Sequence, residues 1–371
     1  MRRRDFIIAG GAVLSGLSAG IALATNTALD RPKGLNDLAK EKGLFFGCAV
    51  NDGELAKASS SAAILADCGL VTAQRAQKWP IMWRDRAKES PQEADRLAAF
   101  ARSNGLGLRG HALIYDAFMP TWVNELSPQE MRVAFERRIK YAAGRWKGQM
   151  HSWDVVNEAL EPNEGRADSL RNTVFLKALG DGYIADAFFL AEQYDPAALL
   201  CYNDYNLESN VSFSYRRRRA TLALLESLKK KGAPISALGV QAHLKPQLEY
   251  DDRIWRNFLH EVAQLDLKII VSELDVNDRM LSGGAGARDV AVANLTSRFL
   301  DVTLDEKNVL GVISWGLDDQ ESWMNARRVR GDPDFVRGDR AAFRPLPLDS
   351  EFRKKPMWHA IAKAFCDAPV R

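Results

Sequence analysis

Short apolar runs alternate with longer amphipathic stretches along most of this chain of 371 residues. A strand buried on both faces reads as a continuous run of apolar residues, so this alternation is typical of strand–helix units around a parallel sheet. The runs predicted to be strands lie near residues 44–50, 70–74, 107–113, 151–157, 198–203, 236–243, 268–273 and 310–316. Eight parallel strands with helices between them predict an α/β fold with a single (β/α)8 TIM barrel.

One of the intervening helices can be predicted in detail. Ser127 is placed to act as its N-cap, Pro128 occupies its first position, and Glu130 completes a capping box. Apolar residues then recur at steps of three or four and form one face, namely Met131, Phe135, Ile139, Ala142 and Trp146. Gly148 follows as a stop. A last helix near residues 356–366 would close the barrel, which leaves little length for a second domain.

The first 24 residues have the pattern of an export signal. A basic head and an apolar middle precede Ala22-Leu23-Ala24, the small-x-small form that signal peptidase cuts. Arg3 and Arg4 make the segment similar to a twin-arginine signal, which predicts cleavage and a periplasmic or extracellular bacterial protein. Residues 25–40 are then a lead-in and residues 41–371 the barrel domain. The alternative is a permanent anchor, but the segment is short for a bilayer, so no stable membrane association is expected after cleavage.

The charge balance argues against a polyanionic partner such as nucleic acid. The chain has 51 Lys and Arg against 48 Asp and Glu, and loss of the first 24 residues reduces the net charge from +3 to +1. The tight basic run Arg216–Arg219 lies in a helix-like stretch that ends at Gly232, and it is predicted to be a solvated helix face.

The cysteines give no sign of a metal site. They are far apart and lack metal-ligand spacing: Cys48, Cys68, Cys201 and Cys366. Cys48 and Cys201 fall in strand-like runs and are predicted to be small buried hydrophobes. The sequence leaves open whether Cys48 and Cys68 form a disulfide in an oxidising compartment.

Two of the predicted strands end in a carboxylate. WDVVNEAL, residues 153–160, contains Glu158, and IIVSELDV, residues 269–276, contains Glu273. Splitting an acetal between sugars requires one acid to protonate the leaving oxygen and one carboxylate at the anomeric carbon, so the pair predicts glycoside hydrolysis. The alternative is that each Glu is only a surface charge after a core strand. Asn157 beside Glu158, and Asp275 on the strand face of Glu273, argue against it.

Other predicted strands also end in polar or aromatic residues. The ends of the third to the eighth strand carry, in order, His111, Asn157 with Glu158, residues 203–206, Gln241 with His243, Glu273, and Trp315. A single His or Trp is more often structural than functional. Their position on successive strand ends, which meet at one rim of a barrel, predicts a site there.

These motifs resemble those of the glycoside hydrolase family 10 endo-β-1,4-xylanases, from FFGCAV at 45–50 to KPMWHAIAKAF at 355–365. The segments that carry the resemblance are RGHAL at 109–113, WDVVNE at 153–158, YNDYN at 202–206, GVQAHL at 239–244 and SELDV at 272–276. The resemblance implies a TIM barrel that cleaves bonds within xylan or a related hemicellulose. It also implies a retaining mechanism without metal or organic cofactor. A monomer is expected, but the sequence leaves open the oligomeric state and whether cleavage occurs within the chain or near its end.

The resemblance assigns roles to particular residues. Glu158 is implied to be the acid/base and Glu273 the nucleophile, with carboxyl groups about 5 to 5.5 Å apart. His243, held by Asp275, is implied to donate to Glu273, and Asn157 to contact the sugar 2-hydroxyl. The residues implied to bind substrate elsewhere in the cleft are Lys78, His111, Asn203, Tyr205, Gln241, Trp315 and Trp323.

Two segments on the non-reducing, or glycone, side depart from the family pattern. The usual Glu-Asn pair and the Met before Lys78 become Gln74, Arg75 and Gln77, and the usual Trp-His and following Gln become Tyr115, Asp116 and Phe118. Each lost buried hydrogen bond costs about 1 to 3 kcal/mol, so sugar recognition there is expected to differ.

The cation at Arg75 suggests that the glycone side accepts an acidic sugar, such as a uronic-acid-substituted chain or a bacterial exopolysaccharide. The alternative is that Arg75 pairs with an acid in a loop. The sequence also leaves open a transglycosylase, which shares the covalent intermediate, and a barrel that binds sugars without cleaving them.

Overall fold

The structure is a computed structural model that describes residues 32–371, apart from the side chain of Asp334. The predicted signal peptide, residues 1–24, lies outside the described residues and stays a prediction. Residues 33–371 form one compact unit. Within the described range, every helix is too short or too polar to cross a membrane.

The strands of residues 32–371 form one parallel barrel. They are β1 (Phe45–Val50), β2 (Leu70–Ala73), β3 (Gly107–Gly110), β4 (Ile114–Tyr115), β5 (Ser152–Asn157), β6 (Leu199–Asp204), β7 (Ala237–Val240), β8 (His243–Leu244), β9 (Lys268–Val276) and β10 (Val309–Ser314). The barrel closes because β1 pairs with both β2 and β10, and β10 also pairs with β9. β4 and β8 are short continuations of β3 and β7, so the eight-stranded barrel predicted from the sequence is confirmed.

Two predicted strands, 107–113 and 236–243, are interrupted. β3 ends at Gly110 and β7 ends at Val240, and the chain rejoins the sheet after three and two intervening residues, at Ile114 and His243. At the breaks, side-chain oxygens accept hydrogen bonds from backbone N–H groups that would otherwise bond a neighbouring strand. Gln77 Oε1 accepts from the His111 N–H, and Glu208 Oε1 accepts from the Ala242 N–H. The sequence pattern continues across both breaks because the residues around them are still buried.

The helices lie mostly between the strands along the chain, whereas the first precedes β1 and the last two follow β10. They are α1 (Leu35–Lys40), α2 (Asp52–Leu55), α3 (Ala58–Asp67), α4 (Trp79–Met82), α5 (Gln92–Ser103), α6 (Pro128–Arg145), α7 (Val174–Leu179), α8 (Tyr183–Tyr194), α9 (Ser212–Lys230), α10 (Asp252–Gln264), α11 (Ala285–Thr303), α12 (Trp323–Val329) and α13 (Pro356–Asp367). In α6 the predicted capping box between Ser127 and Glu130 is present, and the predicted apolar face is buried. The last predicted helix corresponds to α13.

The N-terminal boundary of the barrel lies earlier than predicted. Helix α1 falls within the predicted lead-in of residues 25–40, yet its Leu35 and Ala39 are fully buried. Asn36 Oδ1 also accepts a hydrogen bond of 3.1 Å from the backbone N–H of Phe46 in β1. The segment therefore belongs to the folded unit, and a boundary at residue 41 is too late.

The basic run of α9 is only partly solvated. Arg216 and Arg219 are exposed as predicted, but Arg217 and Arg218 are buried. Arg217 pairs with Asp204 at 2.7 Å, and Arg218 donates to two backbone carbonyls. Four consecutive helical residues span most of the circumference of a helix, so they cannot all share one face.

The barrel interior has an apolar layer and a polar layer. The apolar layer comprises Leu70, Cys201, Ala237, Ile270 and Ile313. Two residues further along the same strands, towards their C-terminal ends, the inward positions of β2, β6, β7 and β9 become Thr72, Asn203, Gly239 and Ser272. Polar groups therefore fill the barrel directly below its C-terminal rim.

A buried ion pair lies in this polar layer. Arg109 of β3 and Asp154 of β5 are at most 1% exposed and hydrogen-bond each other. Arg109 also donates to Ser152 Oγ at 2.9 Å, and the second oxygen of Asp154 bonds His111 Nδ1 at 2.9 Å. The pair thus connects the barrel interior to a residue of the rim.

The cysteines are free thiols in this structure. Cys48, Cys68 and Cys201 are buried and Cys366 is exposed, which confirms the predicted burial of Cys48 and Cys201. A hydrogen bond with Cys68, together with burial, raises the pKa of the Cys48 thiol well above its usual value.

Replacing Arg109 by Met is expected to lower the free energy of unfolding by about 3 to 5 kcal/mol, because Asp154 would be left as a buried unpaired charge. Urea denaturation of the wild type and the variant measures the change. Arg102→Ala is the control, since Arg102 is exposed and bonds only Gln149 among the described residues, and it should change the value by about 0.5 kcal/mol or less. A loss below about 1 kcal/mol for Arg109→Met would contradict this account.

Candidate active site

A cleft of about 880 Å³ opens at the C-terminal ends of the strands. Most of the predicted site residues line it: Lys78, His111, Asn157, Glu158, Tyr205, Gln241, His243, Glu273, Trp315 and Trp323. The other two, Asn203 and Asp275, are fully buried behind the lining. The structure thus brings residues from six different strand ends and the following loops into one place.

Three residues at this rim have left-handed backbone conformations. They are Glu158, Asn206 and Ala242, with φ of 56°, 53° and 57°. Such a conformation costs a residue with a side chain about 1 to 3 kcal/mol, and it persists only where surrounding contacts hold it. Two hydrogen bonds hold the Glu158 backbone. The Glu158 N–H donates to the Asn203 carbonyl at 2.9 Å, and Arg171 Nε donates to the Glu158 carbonyl at 3.0 Å. The sharp turn ends β5 and directs the Glu158 side chain into the cleft.

Glu273 is surrounded by groups that stabilise its carboxylate form. Asn203 Nδ2 donates to its Oε1 at 2.7 Å, and His243 Nε2 lies 3.3 Å from its Oε2. Burial favours the neutral acid, but the His243 hydrogen bond and the nearby His111 and Lys78 outweigh it and lower the pKa of Glu273 to about 2. Glu273 is therefore ionised at neutral pH.

His243 is in turn held by Asp275. The imidazole Nδ1 lies 2.9 Å from Asp275 Oδ1, and Trp323 Nε1 donates to Asp275 Oδ2 at 2.7 Å. Burial opposes ionisation of the ring, but the carboxylates of Asp275 and Glu273 raise the pKa of His243 to about 10. The predicted chain from Asp275 through His243 to Glu273 is present, and it includes Trp323, which was predicted only as a sugar-binding residue.

Glu158 has a different environment. Its Oε1 accepts three hydrogen bonds, from Tyr115 Oη at 3.0 Å, Gln241 Nε2 at 3.0 Å and Asn157 Nδ2 at 3.2 Å. All three donors are neutral groups. The Glu273 carboxylate is therefore hydrogen-bonded to the His243 cation, whereas the Glu158 carboxylate is held by neutral donors on one of its oxygens.

Asn203 links the two carboxylates. Its Nδ2 donates to Glu273 Oε1 and also to Asn157 Oδ1 at 2.8 Å, while its Oδ1 accepts from Ser272 Oγ at 2.6 Å. A Cβ atom at Gly239 would lie 2.2 Å from Asn203 Oδ1, so glycine leaves the room that this amide occupies. Asn203 was predicted to bind substrate, but it is an internal bridge because all its polar atoms are already bonded.

Lys78 is enclosed by aromatic rings. Its ammonium lies 4.3 Å from the ring centroid of Phe118, 5.6 Å from that of Tyr115 and 6.0 Å from that of Trp315. Burial lowers the pKa of Lys78, and the nearby Arg75 lowers it further. Within residues 32–371, neither the Lys78 ammonium nor the Arg75 guanidinium has a hydrogen-bond or ion-pair partner, so the acidic loop partner considered for Arg75 is not found among these residues.

Tyr205 lies against two arginines. Its hydroxyl oxygen accepts from Arg171 Nη2 at 3.1 Å and Arg217 Nη2 at 3.2 Å, so its own proton points away from both.

Sequence reasoning missed Arg171, Arg217 and the contact of Tyr115 with Glu158. The departure from the family pattern at Tyr115 was a usable signal, whereas Arg171 lies in a loop without a periodic pattern.

No cluster of three or more His, Cys, Asp or Glu in the described part of the chain is arranged to hold a metal ion.

Replacing His243 by Gln is expected to move the acid limb of the pH profile of kcat/KM to higher pH by about one to three units, because Glu273 would lose a neighbouring cation. The profile should be measured from pH 3 to pH 8 on an aryl glycoside that the wild type cleaves. Asp275→Asn should move the limb in the same direction, since it weakens the charge on His243. An unchanged acid limb in both variants would contradict the conclusion that His243 and Asp275 keep the pKa of Glu273 low.

Comparison with known proteins agrees with this geometry. The model of the family described as glycosyl hydrolase family 10 matches residues 34–364. Endo-1,4-beta-xylanase 3 of Hypocrea jecorina is 29% identical over 353 residues, which cover 94% of this chain and 91% of that protein. Endo-1,4-beta-xylanase 1 of Humicola insolens is 32% identical over 334 residues, which cover 88% of this chain and 73% of that protein.

Solved structures show the same similarity. Native xylanase 10B from Thermotoga maritima superposes with a TM-score of 0.79 at 26% identity, covering 90% of this chain and 98% of that one. Xylanase 10B from Thermotoga petrophila, solved in complex with xylobiose, also gives a TM-score of 0.79, at 25% identity. The sequence match, the barrel and the paired carboxylates together establish that this chain belongs to glycosyl hydrolase family 10.

Proposed function

We propose that this protein hydrolyses β-1,4 bonds within xylan or a related hemicellulose with retention of configuration. Glu273 is the nucleophile and Glu158 the acid/base. The observation that carries the proposal is the contrast between the two carboxylates of one cleft. Glu273 is stabilised as an anion by His243, whereas the Glu158 carboxylate accepts hydrogen bonds only from neutral donors among residues 32–371. Retaining hydrolysis requires this division of roles.

The reaction has two steps in this cleft. In the first, a Glu273 oxygen forms a bond to the anomeric carbon while the bond to the leaving oxygen breaks and Glu158 gives that oxygen its proton. In the second, Glu158 takes a proton from water as the water oxygen attacks the anomeric carbon, and the bond to Glu273 breaks. His243 and Asn203 hold the Glu273 carboxylate before and after the covalent stage.

The remaining cleft residues position the sugars. Asn157 lies between Glu158 and Asn203. Its proposed role is to contact the sugar 2-hydroxyl beside the cleavage point. Tyr205, whose hydroxyl proton is free of Arg171 and Arg217, donates towards the leaving-group side. Lys78, His111 and Trp315 serve the glycone side. The names of the related proteins support xylan as the polymer.

Glu158→Ala is expected to lower kcat/KM on xylan by about 10²- to 10⁴-fold, because the leaving oxygen then lacks a proton donor. Activated aryl xylobiosides should still form the covalent intermediate, and added azide should restore turnover with retained configuration. Glu273→Ala should abolish turnover of both substrates.

Product release is best measured on glucuronoxylan, arabinoxylan, mixed-linkage glucan and an acidic bacterial exopolysaccharide, with Glu273→Ala as the blank. Turnover of another polymer alone would keep the mechanism and replace the substrate. Binding of xylan without turnover in the wild type would favour a non-catalytic barrel, and formation of longer oligosaccharides would favour a transglycosylase.

A second candidate concerns decoration of the chain. Arg75 is exposed and lines the cleft beside Lys78, and no acidic side chain pairs with either in the described range. Two neighbouring cations repel each other, and a bound anion would relieve that repulsion. We therefore propose that the glycone side prefers a xylan segment that carries a uronic acid.

Arg75→Gln is expected to lower kcat/KM on a glucuronic-acid-bearing xylo-oligosaccharide by about threefold to fivefold, the usual scale of an exposed ion pair. Activity on the plain oligosaccharide should change by less than about twofold. Arg96→Gln removes an equal charge outside the cleft lining and is the control. Equal or better wild-type activity on the plain chain would refute the preference.

A further inference from the structure

Tyr115 lies directly beside the proposed acid/base. It ends β4 and pairs with Asn157 of β5, the residue before Glu158. Its ring stacks on Phe118 with centroids 5.6 Å apart, and it meets His111 edge-on at 6.3 Å. These contacts fix the phenol in the wall of the cleft, where its hydroxyl reaches Glu158 Oε1 at 3.0 Å.

The hydrogen bonds distinguish the two oxygens of Glu158. Oε1 accepts from Tyr115, Gln241 and Asn157, whereas Oε2 accepts from none of residues 32–371. The Asn157 amide orientation is fixed because its Oδ1 accepts from Asn203. A carboxylate oxygen has about two lone-pair sites, so an oxygen with three donors cannot also carry a proton.

We propose that Tyr115 is a positioning residue for the acid/base: its hydroxyl holds Glu158 Oε1, so that Oε2 carries the catalytic proton. The inference rests on the proposed function of Glu158. In the first step the proton leaves Oε2 for the leaving oxygen, and the new carboxylate charge is stabilised by the three donors on Oε1. In the second step Oε2 takes a proton from water.

The phenol is suited to this role and not to proton transfer itself. Burial raises the pKa of Tyr115, and the charges of Glu158 and Glu273 raise it further, so the hydroxyl remains a donor throughout the working range. Glu158 is its one hydrogen-bond partner among the described residues. Replacement by Phe therefore removes this bond and retains the ring contacts.

The test is the dependence of Tyr115→Phe on the leaving group. For an unactivated aryl xylobioside or xylan, which need the acid, kcat/KM should fall about tenfold to a hundredfold, the scale of a lost hydrogen bond to a group that becomes charged. For 2,4-dinitrophenyl xylobioside, which leaves without protonation, kcat/KM should stay within about threefold.

Phe118→Leu is the matched control, because it removes the ring stacked on Tyr115 and retains the hydroxyl. It should change kcat/KM for both substrates by a similar factor. An equal loss on both substrates in Tyr115→Phe, or no loss on either, would overturn the inference. If the wild type turned over neither aryl xylobioside nor xylan, the proposed xylanase function would fail, an outcome distinct from failure of the role of Tyr115.

Discussion

The site depends on keeping Glu273 ionised in a place where burial favours the neutral acid. Little of Glu273 is exposed to water, so His243 and Asn203 supply hydrogen bonds to its carboxylate, and the nearby charge of Lys78 adds to their effect. A partly buried cation such as His243 needs compensation of its own, and Asp275, held by the Trp323 indole, provides it. Much of the polar interior below the rim follows from stabilising this one anion.

The buried ion pair of Arg109 and Asp154 shows the same compensation of one buried charge by another, deeper in the barrel. Arg109 and Asp154 lie below the cleft, and Asp154 fixes His111, which borders Glu273. Replacing the pair with apolar side chains would be compatible with a stable barrel. The position of the pair suggests that its main effect is to orient residues of the rim, such as His111, and not to stabilise the fold. The link through Asn203 then makes the positions of the Glu158 and Glu273 carboxylates depend on each other.

The sequence predicted the parts that depend on repeating patterns. Apolar runs indicated eight strands, and Glu158 and Glu273 were found because each follows such a run. The interruptions at His111 and Ala242 were missed, since burial continues across a broken ladder. Arg217 was misread because a run of charges does not show which member faces inward. Asn203 was placed in the cleft because its motif does not reveal that neighbouring side chains already bond all its polar atoms.

The left-handed conformation of Glu158 bears on how this position can evolve. Glycine adopts such a backbone without strain, and asparagine adopts it more easily than glutamate. Selection for folding alone would therefore favour replacement of the glutamate by glycine or asparagine, either of which would relieve strain and remove the carboxylate. A lineage that ceased to use the enzyme would be expected to lose this side chain early.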